Sequence, residues 1–195
     1  MEILKLIFKL ILTPFLSVSI MFLNDSNLFL YPLVFSIILS LSNYELFRLN
    51  LFIGIILGIG ISYLTFYIGY FGYGVFYKLI ELIGIKNDIT IGKWFYSDLS
   101  SCISVFIIAP FLTMYLLKSL FKKTKIKLTN WILSITILII VTASFFHKGI
   151  DSNNFFNLLN LWQLIVMFGL QAIINQKLIT KTIKIGNKKP THNNV

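Results

Sequence analysis

Apolar residues run along the chain in long blocks, each closed by polar or basic residues, and the blocks have helical length and helical periodicity. Residues 3–23 are apolar except for Lys5 and Lys9, spaced i, i+4, and Pro14 stands near the middle. Three readings of this block stay open: a membrane span with snorkelling lysines, an amphipathic helix in the interface, or a signal sequence. Asn24 to Asn27 make a polar turn. Leu28 to Leu41 then forms a short span that begins around Tyr31-Pro32, and Glu45 and Arg48, at i, i+3, are expected to pair at the interface.

The longest block is Leu51 to Tyr77, 27 residues without a charge. At ~1.5 Å per residue this is enough to cross a hydrocarbon core of ~30 Å. Gly54, Gly58, Ser62, Thr65, Gly69 and Gly72 recur along it at spacings of four, four, three, four and three, so they share one narrow face. Small residues on such a face let a neighbouring helix come close, and close packing holds helices together in lipid, where there is no water to expel. This helix is therefore expected to be the hub of a bundle. A second stripe, Tyr63, Tyr67, Tyr70, Tyr73 and Tyr77, can pack beside it and find hydroxyl partners.

Further on, Lys78 to Asp98 reads as an amphipathic region with an interfacial cluster, Trp94-Phe95-Tyr96, at its end. Asp98 is placed to cap a helix over 99–118, which Pro110 should kink and could turn into a hinge. Blocks at about 128–146 and 155–175 follow. In the last of them Asn153, Asn157, Asn160, Gln171 and Asn175 fall on one side of the helical wheel, with Gln163 further round. Carboxamides do not face acyl chains, because each would leave donors and acceptors unpaired there. They predict either interhelical hydrogen bonds or the polar lining of a path.

Composition makes the membrane class secure, since 57% of residues are hydrophobic and only 12% are charged. The fold class is all-α: a polytopic transmembrane bundle of six spans, or of five plus an interfacial N-terminal helix. It is one domain over residues 1–178, followed by a basic, disordered cytoplasmic tail over 179–195. The net charge of +10 does not point to nucleic acid, because the lysines sit at the ends of apolar blocks. Lys118, Lys122, Lys123, Lys125 and Lys127, together with the tail, suit anionic lipid headgroups instead. These two basic stretches share a side, which the positive-inside rule makes cytoplasmic. With six spans the N-terminus is cytoplasmic as well, and the abundant Ile, Lys, Asn and Phe suit a bacterial cytoplasmic membrane.

Chemistry is sparse. The chain has no phosphate-cradling Gly-rich loop, zinc-binding His pair, nucleophile elbow or Cys-x-x-Cys, so no catalytic residue, metal or cofactor is expected. Cys102 is alone. His147 and Asp151, at i, i+4, are the one weak suggestion of acid-base or metal chemistry, as for a lipid-acting enzyme.

The order of features resembles bacterial members of the Yip family, relatives of the Ypt/Rab-interacting membrane proteins. The resemblance is carried by the entry helix with Lys5, Lys9 and Pro14, by Tyr31-Pro32, and by the Gly-rich block. Leu82-Ile83-Gly84-Ile85-Lys86 and Leu161-Trp162-Gln163-Leu164-Ile165 with Phe168-Gly169-Leu170 complete it. It implies a small non-enzymatic membrane protein, generally of five helices. The polar-Tyr-Gly-Pro signature of eukaryotic members is absent, so no small-GTPase partner is implied. The expected role is helix, lipid or partner contact in envelope organisation or immunity, as a homo-oligomer or with another membrane protein. The alternative is a transporter or channel subunit whose path is lined by the last helix.

Overall fold

The computed structural model describes residues 2–23, 29–86, 93–122, 124–146 and 158–186, and among these the chain is helical apart from turns, with no strand. The first rod, Glu2–Leu23, joins α1 (Glu2–Ile7) to α2 (Thr13–Leu23) through a π-helical stretch, Phe8–Leu12. Pro14 explains the stretch. Proline has no N–H for the carbonyl four residues earlier, and its ring crowds that carbonyl. A wider turn just before it relieves both problems, and the Thr13 N–H reaches back to the Phe8 carbonyl.

The same solution recurs at Pro110. A π stretch, Cys102–Ile108, links α5 (Lys93–Ser101) to α6 (Ala109–Leu117); the Ala109 N–H bonds the Ser104 carbonyl, and Pro110 lies in the first turn of α6. The expected mid-helix kink is thus a π-helical stretch on the N-terminal side of the proline. Asp98 lies inside α5, which begins at Lys93, and so does not cap a helix starting at 99.

The remaining helices are α3 (Leu30–Ser42), α4 (Leu51–Lys86), α7 (Ile126–Phe146), α8 (Leu158–Ile174) and α9 (Gln176–Gly186). Residues 78–86 continue α4 rather than opening a separate element, which makes it 36 residues long. Residues 179–186 are helical rather than the start of a disordered tail. Among the described residues four rods are long and apolar enough to cross a membrane: Glu2–Leu23, Leu51–Gly84, Ser97–Leu120 and Ile126–Ala143. The other two apolar helices, Leu30–Ser42 and Leu159–Ile174, are shorter. At ~1.5 Å per residue each falls short of a hydrocarbon core of ~30 Å.

The centre of the bundle is α8, and this corrects the expected hub. Val166, Met167, Leu170 and Ile173 are fully buried, and Phe168 is the one exposed residue between 159 and 176. This helix packs on α2, α3, α6 and α7. By contrast α4 lies at the side of the bundle, touching α3 along its first half and α5, the second π stretch and α6 along its second. Its small face turns inward, and Phe52, Ile56, Leu64, Tyr70 and Phe71 are exposed on the rest of its surface. A helix with small residues on one side offers a single close-packing face, whereas α8 has packable side chains all round.

Candidate functional site

Three constellations are candidates: the small face of α4, the carboxamides of α8, and a cleft where several chain ends meet. Along α4, Gly54, Gly58, Ser62, Thr65 and Gly69 are buried, and Gly72 is partly so. A methyl group at Gly54 would lie 2.6 Å from the Phe47 ring, one at Gly69 2.9 Å from the Ala109 Cβ, and one at Gly72 3.2 Å from the Ser104 Cβ. The polar members tie the helices together. Ser36 donates to the Gly58 carbonyl at 2.8 Å and shares a 2.6 Å hydrogen bond with Ser62. Thr113 donates to Thr65 at 2.9 Å. In the tyrosine stripe, Tyr63 donates to the Phe29 carbonyl at 2.7 Å and Tyr73 pairs with Ser97 at 3.1 Å, while Tyr67 and Tyr70 are exposed.

The carboxamides of α8 are buried and bonded to other helices. Asn160 accepts from the Tyr31 hydroxyl, and Gln163 donates to Ser17. Gln171 accepts from Asn43 at 3.0 Å and donates to Ser42 at 2.9 Å. Asn175 donates to Asn43 at 3.0 Å. Gln176, just past the helix, donates to Thr129 at 2.9 Å and accepts from the Lys125 N–H at 3.0 Å. Exposure of the five residues is 3% or less. One acceptor, the Gln163 Oε1, is buried without a hydrogen-bond partner among the described residues. It borders a void of about 20 Å³, lined also by Ser62, Thr65 and Thr113.

The third constellation lies at one end of the bundle. There the turn at 43–50 meets residues 118–122: the Arg48 N–H bonds the Leu120 carbonyl at 3.0 Å and the Lys122 N–H the Leu46 carbonyl at 2.9 Å. Phe47 stacks on Phe121 at 4.6 Å. The first helix and α9 join this end through Glu45 and Glu2, whose carboxylates meet Lys5 (2.7 Å), Lys9 (2.8 Å) and Lys181 (2.6 Å). Together they enclose an open cleft of about 780 Å³.

The expected Glu45–Arg48 pair is therefore replaced by Glu45 with Lys5 and Lys9. The reason is burial: Lys9 is only 4% exposed, and a buried ammonium needs a counter-charge far more than a surface arginine does. Hydrogen bonds from Lys5 and then Lys9, with their positive charges, hold the Glu45 carboxyl down at about 2, against an ordinary 4.5. Since the folded value is the lower one, the pair contributes stability above pH ~4.5 that is lost as pH falls towards ~2. Glu45→Gln should thus melt at a lower temperature than the parent at neutral pH, with the difference shrinking below pH ~4.5. Parallel melting curves of constant offset down to pH ~3 would show that the carboxylate is not the source.

His147, Asp151, Asn153 and Asn157, and the side chains of Trp94, Phe95 and Tyr96, lie outside the described residues. Among the described residues no group of three or more His, Cys, Asp or Glu could hold a metal ion. Sequence reasoning missed Asn43, Ser17 and Gln176 as partners of the carboxamide set. Lys9 gave a usable signal: a lysine in an apolar block, spaced i, i+4 from another, needs an acid nearby, and Glu45 is one of only seven carboxylates in the chain. The Trp-then-Gly-Leu stretch of α8 is a packing element, with the Trp162 indole donating to the Val105 carbonyl at 3.1 Å and Gly169 set against Thr136 and Met114. No protein-family model, no curated protein and no solved structure matches this chain.

Proposed function

We propose that this chain is a non-enzymatic integral membrane protein that works through helix, lipid or partner contacts, in the cytoplasmic membrane of a bacterium. The observation that carries the proposal is the state of the α8 carboxamides. Asn160, Gln163, Gln171 and Asn175 are buried and spend their polar groups on neighbouring helices. This supports a packed scaffold over a transporter or channel with a path lined by α8, because a lining group keeps donors and acceptors turned to water or solute.

On this proposal the six apolar segments cross the bilayer in turn, α3 and α8 using flanking polar turns to complete their crossings. Both termini are cytoplasmic, and Lys118, Lys122, Lys125, Lys127 and α9 face anionic headgroups. A second copy or another membrane protein is the natural partner for the exposed apolar sides, and nucleic acid is not. A distant relationship to the Yip family belongs to the same proposal and rests on the order of motifs alone.

Two measurements, flux in reconstituted vesicles and a reporter fusion in cells, test function and orientation. Purified protein in proteoliposomes should pass no more ions or small solutes than protein-free vesicles, and a C-terminal reporter should be active on the cytoplasmic side. Solute flux abolished by Asn160→Leu or Gln171→Leu would overturn the contact role, and a periplasmic C-terminus would overturn the orientation.

A further inference from the structure

We propose that the lysine cleft binds a phosphate-bearing anion, the group shared by an acidic phospholipid headgroup and a free phosphate ester. This rests on the contact role proposed above and names its ligand. Six lysines and two glutamates line the cleft, an excess of four positive charges. They come from stretches far apart in sequence, so the fold itself gathers them: Lys5 and Lys9 from the first rod, Lys122 and Lys125 from the turn before α7, Lys177 and Lys181 from α9.

Part of that charge is already answered. Glu45 holds Lys5 and Lys9, and Glu2 holds Lys181. Lys122 spends one donor on the Glu45 carbonyl at 2.9 Å. Lys125 and Lys177 are exposed and have no side-chain partner among the described residues. The free donors therefore lie on the α7 and α9 side of the cleft, facing a wall fixed by Glu45. Ammonium groups converging from several elements suit a compact, multiply charged acceptor, and phosphate offers several oxygens at once.

The walls between these lysines are pre-formed. Gln176 is locked by Thr129 and by the Lys125 N–H, which holds the base of α9 against the start of α7. Leu46, Ile174 and Leu178 supply apolar surface beside the lysines. Polar and apolar lining side by side match a phosphate ester that continues into glycerol and acyl chain. The volume, about 780 Å³, falls in the range of small-molecule sites, ~300–1,000 Å³.

The test is an equilibrium titration of the full-length protein in neutral detergent with phosphatidylglycerol in one arm and glycerol 3-phosphate in the other. Phosphatidylcholine, which carries no net charge, is the comparison. Lys125→Ala/Lys177→Ala removes the two unpartnered ammonium groups and leaves the Glu45 and Glu2 pairs in place, so it should fold. Lys78→Ala, whose lysine pairs with Glu81 on α4, is the control for general charge loss. The expected result is saturable binding of at least one anion, weakened roughly ten- to thirtyfold in the double variant and unchanged in Lys78→Ala. It should also weaken as salt rises.

Binding of phosphatidylglycerol alone identifies a lipid, binding of glycerol 3-phosphate alone identifies a soluble ester, and competition between them identifies the shared group. Equal affinity for phosphatidylcholine, equal affinity in the double variant, or no binding in either arm would overturn the proposal. A protein that conducts solutes yet binds phosphatidylglycerol through Lys125 and Lys177 would overturn the contact role and leave the cleft standing.

Discussion

Gly69→Ala should lower the melting temperature of the purified protein, while Gly60→Ala, on the same helix, should leave it unchanged or slightly raised. The two substitutions add the same methyl group to α4 and differ only in what it meets. At Gly69 it would lie 2.9 Å from the Ala109 Cβ, whereas at Gly60 nothing lies within 4 Å. Neither of the clashing Cβ atoms can rotate away, because each is fixed to its own backbone, so α4 and α6 must part. Parting also stretches the Thr65–Thr113 hydrogen bond one turn to one side and the Tyr73–Ser97 bond one turn to the other. Overpacking of this kind costs about 1–3 kcal/mol.

The neighbouring glycines refine the expectation. At Gly58 the nearest atom to the added methyl is 3.6 Å away, an ordinary contact, so alanine should be tolerated there and leucine should not. At Gly54 the obstacle is the Phe47 ring, which is buried and stacked on Phe121, so the loss should lie between those at Gly58 and Gly69. Thermal melts followed by size-exclusion chromatography in one mild detergent would rank the four alanine variants. If Gly69→Ala melted with the parent, or if Gly60→Ala fell as far, the close approach of α4 to α6 would not be a source of stability.

That series also shows which parts of the fold were legible in the chain. The small face of α4 could be found from spacing alone, because the period of the helix is fixed and glycine has no side chain to reorient. Its place in the bundle could not. Whether a helix is central depends on how many of its faces find partners, and α8 was hidden by its ordinary Leu, Ile and Met content. The helix ends moved for a related reason: Lys78 to Lys86 carry a surface-like pattern, yet continuing a helix already nucleated by 27 uncharged residues is easier than ending it.

The cleft was the least legible feature. Its lysines were legible as clustered basic residues, but their convergence depends on the Phe47–Phe121 junction and on α9 turning back to Glu2. No local periodicity encodes either of these. The π stretches before Pro14 and Pro110 fall between the two cases. The prolines announce a disturbance in the helix, and the backbone chooses a wider turn over a break because apolar residues continue on both sides.

Gln171→Leu should destabilise the protein by about 2 kcal/mol or more, and Gln163→Leu by much less, although both carboxamides are buried on the same helix. Gln171 accepts from Asn43 and from Asn175, each at 3.0 Å, and donates to Ser42 at 2.9 Å. Two of these bonds cross to the end of α3 and the third is local, and at ~0.5–1.5 kcal/mol net for each the three together contribute about 2 kcal/mol or more. The Asn43 and Asn175 amides keep other acceptors, the Leu39 carbonyl and Ser42 for the first and the Asn43 Oδ1 and the Gln171 backbone carbonyl for the second, so the loss is that of the bonds themselves. Gln163 donates to Ser17, and its Oε1 is already a buried acceptor without a partner among the described residues. Removing that acceptor recovers part of what the lost bond contributed.

The double variant Asn43→Leu/Gln171→Leu sharpens the test, since each single variant loses the shared Asn43–Gln171 bond and the double variant loses it only once. Its loss should therefore fall short of the sum of the two single losses by about 1 kcal/mol or more. Equal losses at Gln163 and Gln171, or strict additivity in the cycle, would mean that these amides are satisfied by something other than each other. Water entering from the cleft, which Asn175 also lines, would be the first place to look.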